Sequence, residues 1–374
     1  MNNSTIRLYE PSINEKEINA VVKVMLSLKI NRGELTKNLE KYISEKFLTK
    51  NSILVSNGTV GLYAALNALG IQSGDEIITT PFTFVATTNV ILQLGATPVY
   101  VDVDPLTYNL NPDFLEEKIT KKTKAILSAD LYGLAANYDR IKKIARKNNL
   151  YFISDSCQSI GATLNNKYVS QFADISVFSF FISKNIVSGE GGVILTNSDK
   201  IAKNVNLFIN HGQTRGKKYD YKTTGLNFRP NDIQATILHE QLKKLELILE
   251  KRKNNAKILS SILSKNKKII TPIIPKNYDH TFSRYSIRIL DNKRNTRNIL
   301  INQLNALNIE TEIVYPLPLY HYRHIKKYLI NNSRLNNVEL ICKEILTIPV
   351  HQNLSENNIM YIATAIDKII KRID

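Results

Sequence analysis

The strongest constraint on this chain is an alternation of strands and helices that runs without a break from Ile53 to Thr196. Short apolar runs at Ile53–Val55, Glu76–Thr80, Pro98–Val103, Ala125–Leu131, Tyr151–Ser154, Ile175–Phe180 and Gly192–Thr196 read as strands. Between them, Val60–Leu69, Thr83–Gln93 and Asn137–Asn148 read as helices. Strands that alternate with helices over such a length form an open, mostly parallel sheet covered on both faces, so the fold class expected is α/β. Upstream, the spacing of Ile18, Val21, Val22, Val24 and Met25 predicts helices within Glu15–Phe47.

After Leu242 the pattern changes. One long charged helix is expected over Asp232–Leu259, then a strand at Tyr285–Leu290, a helix over Thr296–Leu307 and a last helix from the N-cap Ser355 to Ile373. The reading is a large sheet domain over residues 1–248 and a smaller α+β domain over 249–374, hinged on the long helix.

Composition narrows the function. No stretch is apolar enough for a membrane-spanning helix, and the N-terminus lacks the apolar centre of a signal peptide, so a cytoplasmic protein with no membrane partner is expected. Two cysteines, Cys157 and Cys342, support neither a disulfide framework nor a cysteine-rich metal site; no metal is expected. The net charge of +17 is spread along the chain, with no basic stripe and no interleaved aromatics, and so does not read as a nucleic-acid surface. It suits a generically basic surface or a phosphorylated small molecule.

In an open α/β sheet, ligands sit beyond the carboxyl ends of the strands. After the first strand, Ser56-Asn57-Gly58-Thr59 opens a helix. Gly58 permits close approach, Thr59 offers a hydroxyl, and the helix start offers free N–H groups, which suits a phosphate; a plain N-cap is the alternative. Asp155-Ser156-Cys157-Gln158 follows the strand at Tyr151–Ser154. Lys184 follows Ser179 and precedes the glycine-rich Ser188-Gly189-Glu190-Gly191-Gly192. An acid for a pyridine nitrogen, a lysine nucleophile and a phosphate site are the three parts that a pyridoxal phosphate site requires.

Five separated segments carry a resemblance to a known family. They are Thr80–Thr87 with Gly95–Asp104, Asp155–Gln158, Ser179–Lys184 with Gly189–Gly192, Asn210-His211-Gly212, and Gly225–Arg229 with Ile233-Gln234-Ala235. Over nearly its whole length the chain resembles the pyridoxal-phosphate-dependent sugar-nucleotide aminotransferases of the DegT/StrS type. The resemblance implies the fold-type I aminotransferase architecture and a homodimer with shared active sites. It implies that Lys184 bonds covalently to the cofactor, Asp155 pairs with the pyridinium nitrogen, Gln158 lies by the 3-hydroxyl and Phe84 stacks on the ring. Gly58, Thr59 and Ser179 would hold the phosphate, with Asn227 reaching it from the partner subunit, and Arg229 is a candidate for the amino donor's carboxylate. The alternatives are a core role for Phe84, a strand-end cap for Ser179, a turn at Asn227 and a surface charge at Arg229. The implied reaction moves an amino group from glutamate to a nucleoside-diphosphate keto sugar, giving an amino sugar for a cell-surface polysaccharide or glycan. Phe180-Phe181 and the glycine-rich loop resemble most closely those relatives that aminate C4 of a 4-keto-6-deoxy sugar.

Two segments depart from the family pattern. Asp130-Leu131-Tyr132-Gly133 stands where many relatives have His-Leu-Tyr-Gly, and the acid is expected either to repel an anionic substrate group or to accept from a sugar hydroxyl. Val314–Tyr320 replaces a segment with two histidines; Tyr315, and His321 one position beyond, are the substrate-binding candidates there. The rival functions are C3 amination, a sugar dehydratase of the same family, which commonly has His where Lys184 stands, and a cofactor-binding regulator without turnover.

Overall fold

Every strand of the central sheet sends alternate side chains to opposite faces, and each face is met by its own layer of helices. The structure, a computed structural model, describes residues 5–214, 216–290, 295–328 and 335–373. Its strands are β1 (Asn51–Val55), β2 (Glu76–Thr79), β3 (Thr97–Tyr100), β4 (Thr123–Ala129), β5 (Tyr151–Asp155), β6 (Thr163–Leu164), β7 (Lys167–Tyr168), β8 (Ile175–Ser179), β9 (Gly192–Thr196), β10 (Ile269–Ile270), β11 (Tyr278–Asp279), β12 (Tyr285–Ile289) and β13 (Ile345–Ile348). Seven of them form the main sheet in the order β1-β9-β8-β5-β4-β2-β3. The five neighbours from β8 to β3 are parallel, while β9 runs antiparallel to both β8 and β1.

The period-two alternation explains the two layers. Ile53, Val55, Ile77, Leu127, Ile153, Val177 and Ile194 pack on one side with the helices Gly58–Ala68 and Asp199–Phe208. Leu54, Ile78, Ile126, Phe152, Phe178 and Val193 face the other way, onto helices Glu34–Lys46, Tyr138–Lys147 and Asp232–Lys243. This is the α/β layering that the sequence predicts.

The single helix expected over Asp232–Leu259 is two helices, Asp232–Lys243 and Leu245–Leu263. They meet at Lys244, whose ammonium reaches back to Ser12 O at 2.7 Å and pairs with buried Glu17. The second helix joins both cores: Leu245, Ile248 and Leu249 pack under the main sheet, and Ala256, Leu259 and Leu263 pack under β10-β12-β13. The boundary expected at 248/249 therefore falls inside one continuous helix. The N-terminal segment also crosses it, since Ile6 bridges to Ile309 and packs against the C-terminal core. In the helix Glu15–Leu26, Val24 is buried but Ile18, Val22 and Met25 form an outward stripe, each about half exposed.

Between the two cores, at the carboxyl ends of β2 and β4, a third cluster joins Phe82, Val103, Tyr108, Leu131 and Tyr132 to Val314, Val338 and Ile341. Asp130 lies beneath it. Its carboxylate is fully buried and accepts from Tyr138 Oη (2.7 Å), Ser156 Oγ (2.8 Å), Ser159 Oγ (2.6 Å) and Ala136 N (3.1 Å). A carboxylate so occupied faces no substrate, so neither sequence expectation for Asp130 holds. It fastens the turn that presents Asp155 and Gln158.

Burial pushes the Asp130 carboxyl up to about 6, with the hydroxyl donors opposing the shift. Between the ordinary value of 3.8 and about 6, the folded protein keeps a proton that the unfolded chain has released. The stability contributed by this group is thus fullest below that window, falls as pH rises through it and is flat above it. Asp130→Asn removes the titration. Relative to the parent, its unfolding free energy in denaturant should gain about 2–3 kcal/mol between pH 4 and pH 7. A difference between the two proteins that does not change with pH would refute this.

Candidate active site

Three strand ends align at one edge of the sheet, where Val55 of β1 pairs with Gly192 of β9 and Gly192 pairs with Ser179 of β8. The chain leaving β1 turns at once into the helix Gly58–Ala68. Asn57 caps that helix by accepting from Val60 N at 3.0 Å. The N–H groups of Gly58 and Thr59 have no acceptor among the described residues. Gly58 cannot be another residue without displacement, because a Cβ there would lie 2.9 Å from Cys157 Sγ and from Ser179 Cβ. On Gly192, a Cβ would lie 2.8 Å from Asn57 C and O. Close packing by two glycines therefore sets a helix N-terminus with free donors beside the Ser179 hydroxyl, an arrangement that can take an anion.

Asp155 ends β5, the strand next to β8. Its Oδ2 accepts from Thr87 Oγ1 at 2.7 Å and its Oδ1 from Cys157 N at 3.3 Å. Thr87 opens the helix Ala86–Gln93 that follows Phe84, and Phe84 is 58% exposed and outside every core cluster, which removes the core alternative for its ring. Gln158 is held on both sides, as Oε1 accepts from Tyr132 N at 3.1 Å and Nε2 donates to Tyr315 Oη at 3.2 Å. Burial pushes the Tyr315 hydroxyl well up, so it stays protonated.

Lys184 follows β8 in a turn closed by Lys184 N to Phe181 O at 2.9 Å. Its ammonium has no hydrogen-bond or ion-pair partner among the described residues. Burial pushes the amine below its usual range; Arg284 adds to that shift, while Cys157 and Asp155 oppose it. An unpartnered lysine whose basicity is lowered in this way suits nucleophilic chemistry.

The structure thus gathers Lys184, Asp155, Gln158, Ser179, Gly58 and Tyr315 at one sheet edge. Asn227 is exposed and bridges to Asn210, and Arg229 donates to Asn210 Oδ1. Phe228 O between them accepts from Ser56 N at 2.9 Å, which ties this segment to the end of β1. His321 pairs with Glu339 at 2.6 Å, which also takes the Tyr320 hydroxyl, and among the described residues it has no hydrogen bond to Lys184 or Asp155. Sequence reading missed Thr87, Tyr132 and Arg284. Thr87 and Tyr132 lie inside segments that carry the family resemblance or depart from it, whereas Arg284 has no local signal, being brought in by the fold alone. Among the described residues no cluster of His, Cys, Asp and Glu could hold a metal ion, and no helix is long and apolar enough to cross a membrane.

The donors present fit pyridoxal phosphate. Free N–H groups and a hydroxyl can take the phosphate, a carboxylate can face the ring nitrogen, and an unpaired amine stands nearby. Comparison with known proteins agrees. Residues 11–367 match the family model described as the DegT/DnrJ/EryC1/StrS aminotransferase family. GDP-perosamine synthase from Caulobacter vibrioides is 32% identical, over 98% of each chain. UDP-2-acetamido-2-deoxy-3-oxo-D-glucuronate aminotransferase from Pseudomonas aeruginosa is 34% identical, over 89% of this chain and 90% of the relative. The solved structure of NtdA from Bacillus subtilis with bound cofactor PMP superposes with a TM-score of 0.89 at 27% identity, covering 96% of this chain and 83% of that one. The chain belongs to the DegT/DnrJ/EryC1/StrS aminotransferase family, with the fold-type I architecture, and is a pyridoxal-phosphate-dependent aminotransferase.

Proposed function

We propose that the protein transfers the amino group of glutamate to a nucleoside-diphosphate keto sugar, in the first instance to C4 of a 4-keto-6-deoxy sugar, for a surface polysaccharide or glycan. The observation that carries this reading is the unpaired Lys184 amine at one strand end with Asp155 at the next. Bound at this edge, the cofactor supplies an electron sink and holds the nitrogen between the two halves of the reaction. Gly58, Thr59 and Ser179 hold its phosphate, and Phe84 covers one ring face. Asp155, oriented by Thr87, keeps the ring nitrogen protonated, and Gln158, fixed by Tyr132 and Tyr315, meets the 3-hydroxyl side. Lys184, its basicity lowered by burial, would take and return the proton at the donor's α-carbon. Tyr315 lies next to Gln158 and is the nearer of the two substrate candidates; His321, bound to Glu339, shapes the outer loop.

Support for C4 rests on the family resemblance around Phe181, which is 42% exposed, whereas Phe180 is core. The 3-oxo substrate in the name of the Pseudomonas aeruginosa relative supports C3 amination as the second reading. A panel of 3-keto and 4-keto sugar nucleotides with glutamate, with product regiochemistry read by NMR, should give a 4-amino sugar. Lys184→Ala should give no product while still binding the cofactor non-covalently. Product only from 3-keto sugars would move the assignment to C3, and near-normal turnover by Lys184→Ala would end the catalytic assignment.

The working unit we infer is an isologous homodimer with Asn227 of one copy beside the phosphate of the other, and with Arg229 approaching the donor's carboxylate from the same side. The outward stripe Ile18, Val22 and Met25, with Leu26 at 78% and Leu28 at 86% exposure, supports a covered face. Lys184→Ala and Asn227→Asp, each inactive, should regain partial activity when their subunits exchange. Exchange without recovered activity, or an active monomer on sedimentation, would remove the shared site.

A further inference from the structure

A cation that the sequence does not single out is anchored at Tyr132, the residue that holds Gln158. Arg284 immediately precedes β12, and its backbone is fastened to both sides of the site. Its N–H donates to Tyr132 O at 3.2 Å, and Tyr132 N donates to Gln158. Three residues earlier, Thr281 O accepts from Asn185 Nδ2 at 3.1 Å, next to Lys184. The Arg284 guanidinium acts electrostatically on Lys184, Tyr132 and Tyr315 together. Its side chain is 18% exposed, and its hydrogen-bond and ion-pair partner among the described residues is Glu312, at 3.4 Å and itself 50% exposed. So long and open a pair contributes about 0–1 kcal/mol. Behind it, the fully buried Arg252 donates to Gln352 Oε1, Phe282 O and Ser283 O, all uncharged acceptors, so its charge adds to the field without local compensation.

We propose that Arg284 binds a carboxylate of the amino donor from within the same subunit, and that Glu312 is a placeholder which the incoming carboxylate displaces. A guanidinium presents a fork that matches a carboxylate with two parallel hydrogen bonds, whereas its contact to Glu312 engages one nitrogen. The donor's α-carboxylate is attached to the carbon whose amino group is exchanged at Lys184, so it must lie close to that amine. The diphosphate of a sugar nucleotide is held away from the aminated carbon by the sugar ring. A cation whose backbone is tied to Tyr132, beside Gln158, and whose loop is tied to Asn185, next to Lys184, is therefore placed for the carboxylate. Glutamate carries two carboxylates, so Arg284 and an Arg229 from a second copy complement each other. The inference rests on the reading of Lys184 as the amino-transfer residue.

The test is calorimetric binding to the holoenzyme of two probes that cannot react, glutarate as the dicarboxylate and UDP as the diphosphate. Arg284→Gln should weaken glutarate roughly tenfold to a hundredfold and leave UDP unchanged. Arg284→Lys, a point charge without the fork, should fall between, and Glu312→Gln should tighten glutarate. A purely structural Arg284 predicts no gain from Glu312→Gln, and thermal unfolding of each variant separates misfolding from lost recognition. Weakened UDP with unchanged glutarate would assign Arg284 to the diphosphate and overturn the proposal, as would unchanged binding of both, or looser glutarate in Glu312→Gln. The change in visible absorbance on adding glutamate tests Lys184 separately. If that change is absent while glutarate still follows Arg284, the amino-transfer reading fails and the carboxylate site stands.

Discussion

The site depends on one close approach. Strand β9 enters the sheet between β1 and β8 at Gly192, and because that residue has no side chain the backbone of Asn57 and Gly58 can rest against it. Gly58 in turn has no side chain, so the helix start can meet Ser179 and Cys157. A side chain at either position would push the helix N-terminus off the strand ends and separate the free N–H groups from the Ser179 hydroxyl. The glycine-rich loop after Lys184 is therefore not slack chain. It delivers the strand whose first residue makes the cradle possible, and it does so on the return path from the lysine. Cradle and lysine are coupled through a single β-hairpin connection.

Much of this was legible in the sequence, and the parts that were not share a cause. The seven main strands were readable because each is short, apolar and bounded by turn residues or helices. Strand β13 was missed because the helix Asn336–Glu344 runs directly into Ile345 with no turn residue between them. The break at Lys244 was missed because the charged periodicity continues across it, and the tether from Lys244 to Glu17 and Ser12 is long-range. The same limit separates Asp155 from Arg284. The acid lies directly after an apolar run at a strand end, where position alone indicates a ligand. The arginine directly precedes β12 of the second sheet, and only folding carries it to Tyr132.

Asp130 and Asp155 show how little residue type says without partners. Both are carboxylates at neighbouring strand ends, and the Asp130 N–H donates to the carbonyl of Asp155 at 3.0 Å. Asp130 receives three hydroxyls and a backbone N–H, which fill its hydrogen-bonding capacity and seal it from solvent. Asp155 receives one hydroxyl and one longer backbone contact, so capacity remains for a ring nitrogen. One aspartate is a fastener and the other keeps free acceptor capacity because of a few serine and tyrosine hydroxyls. A sequence motif that names only the acid position cannot see that difference.

The charge of the chain takes on a more specific meaning at the site. A net +17 spread over the surface is screened within about a Debye length and cannot by itself select a ligand. Two buried or half-buried guanidiniums, Arg252 and Arg284, lie where screening is weakest, and their fields act on one another as well as on the site. Desolvation lowers the Lys184 amine toward neutrality, Arg284 pushes the same way, and Asp155 pulls the other way. The lysine thus stands between a cation that favours its free-amine form and an acid that favours its charged form.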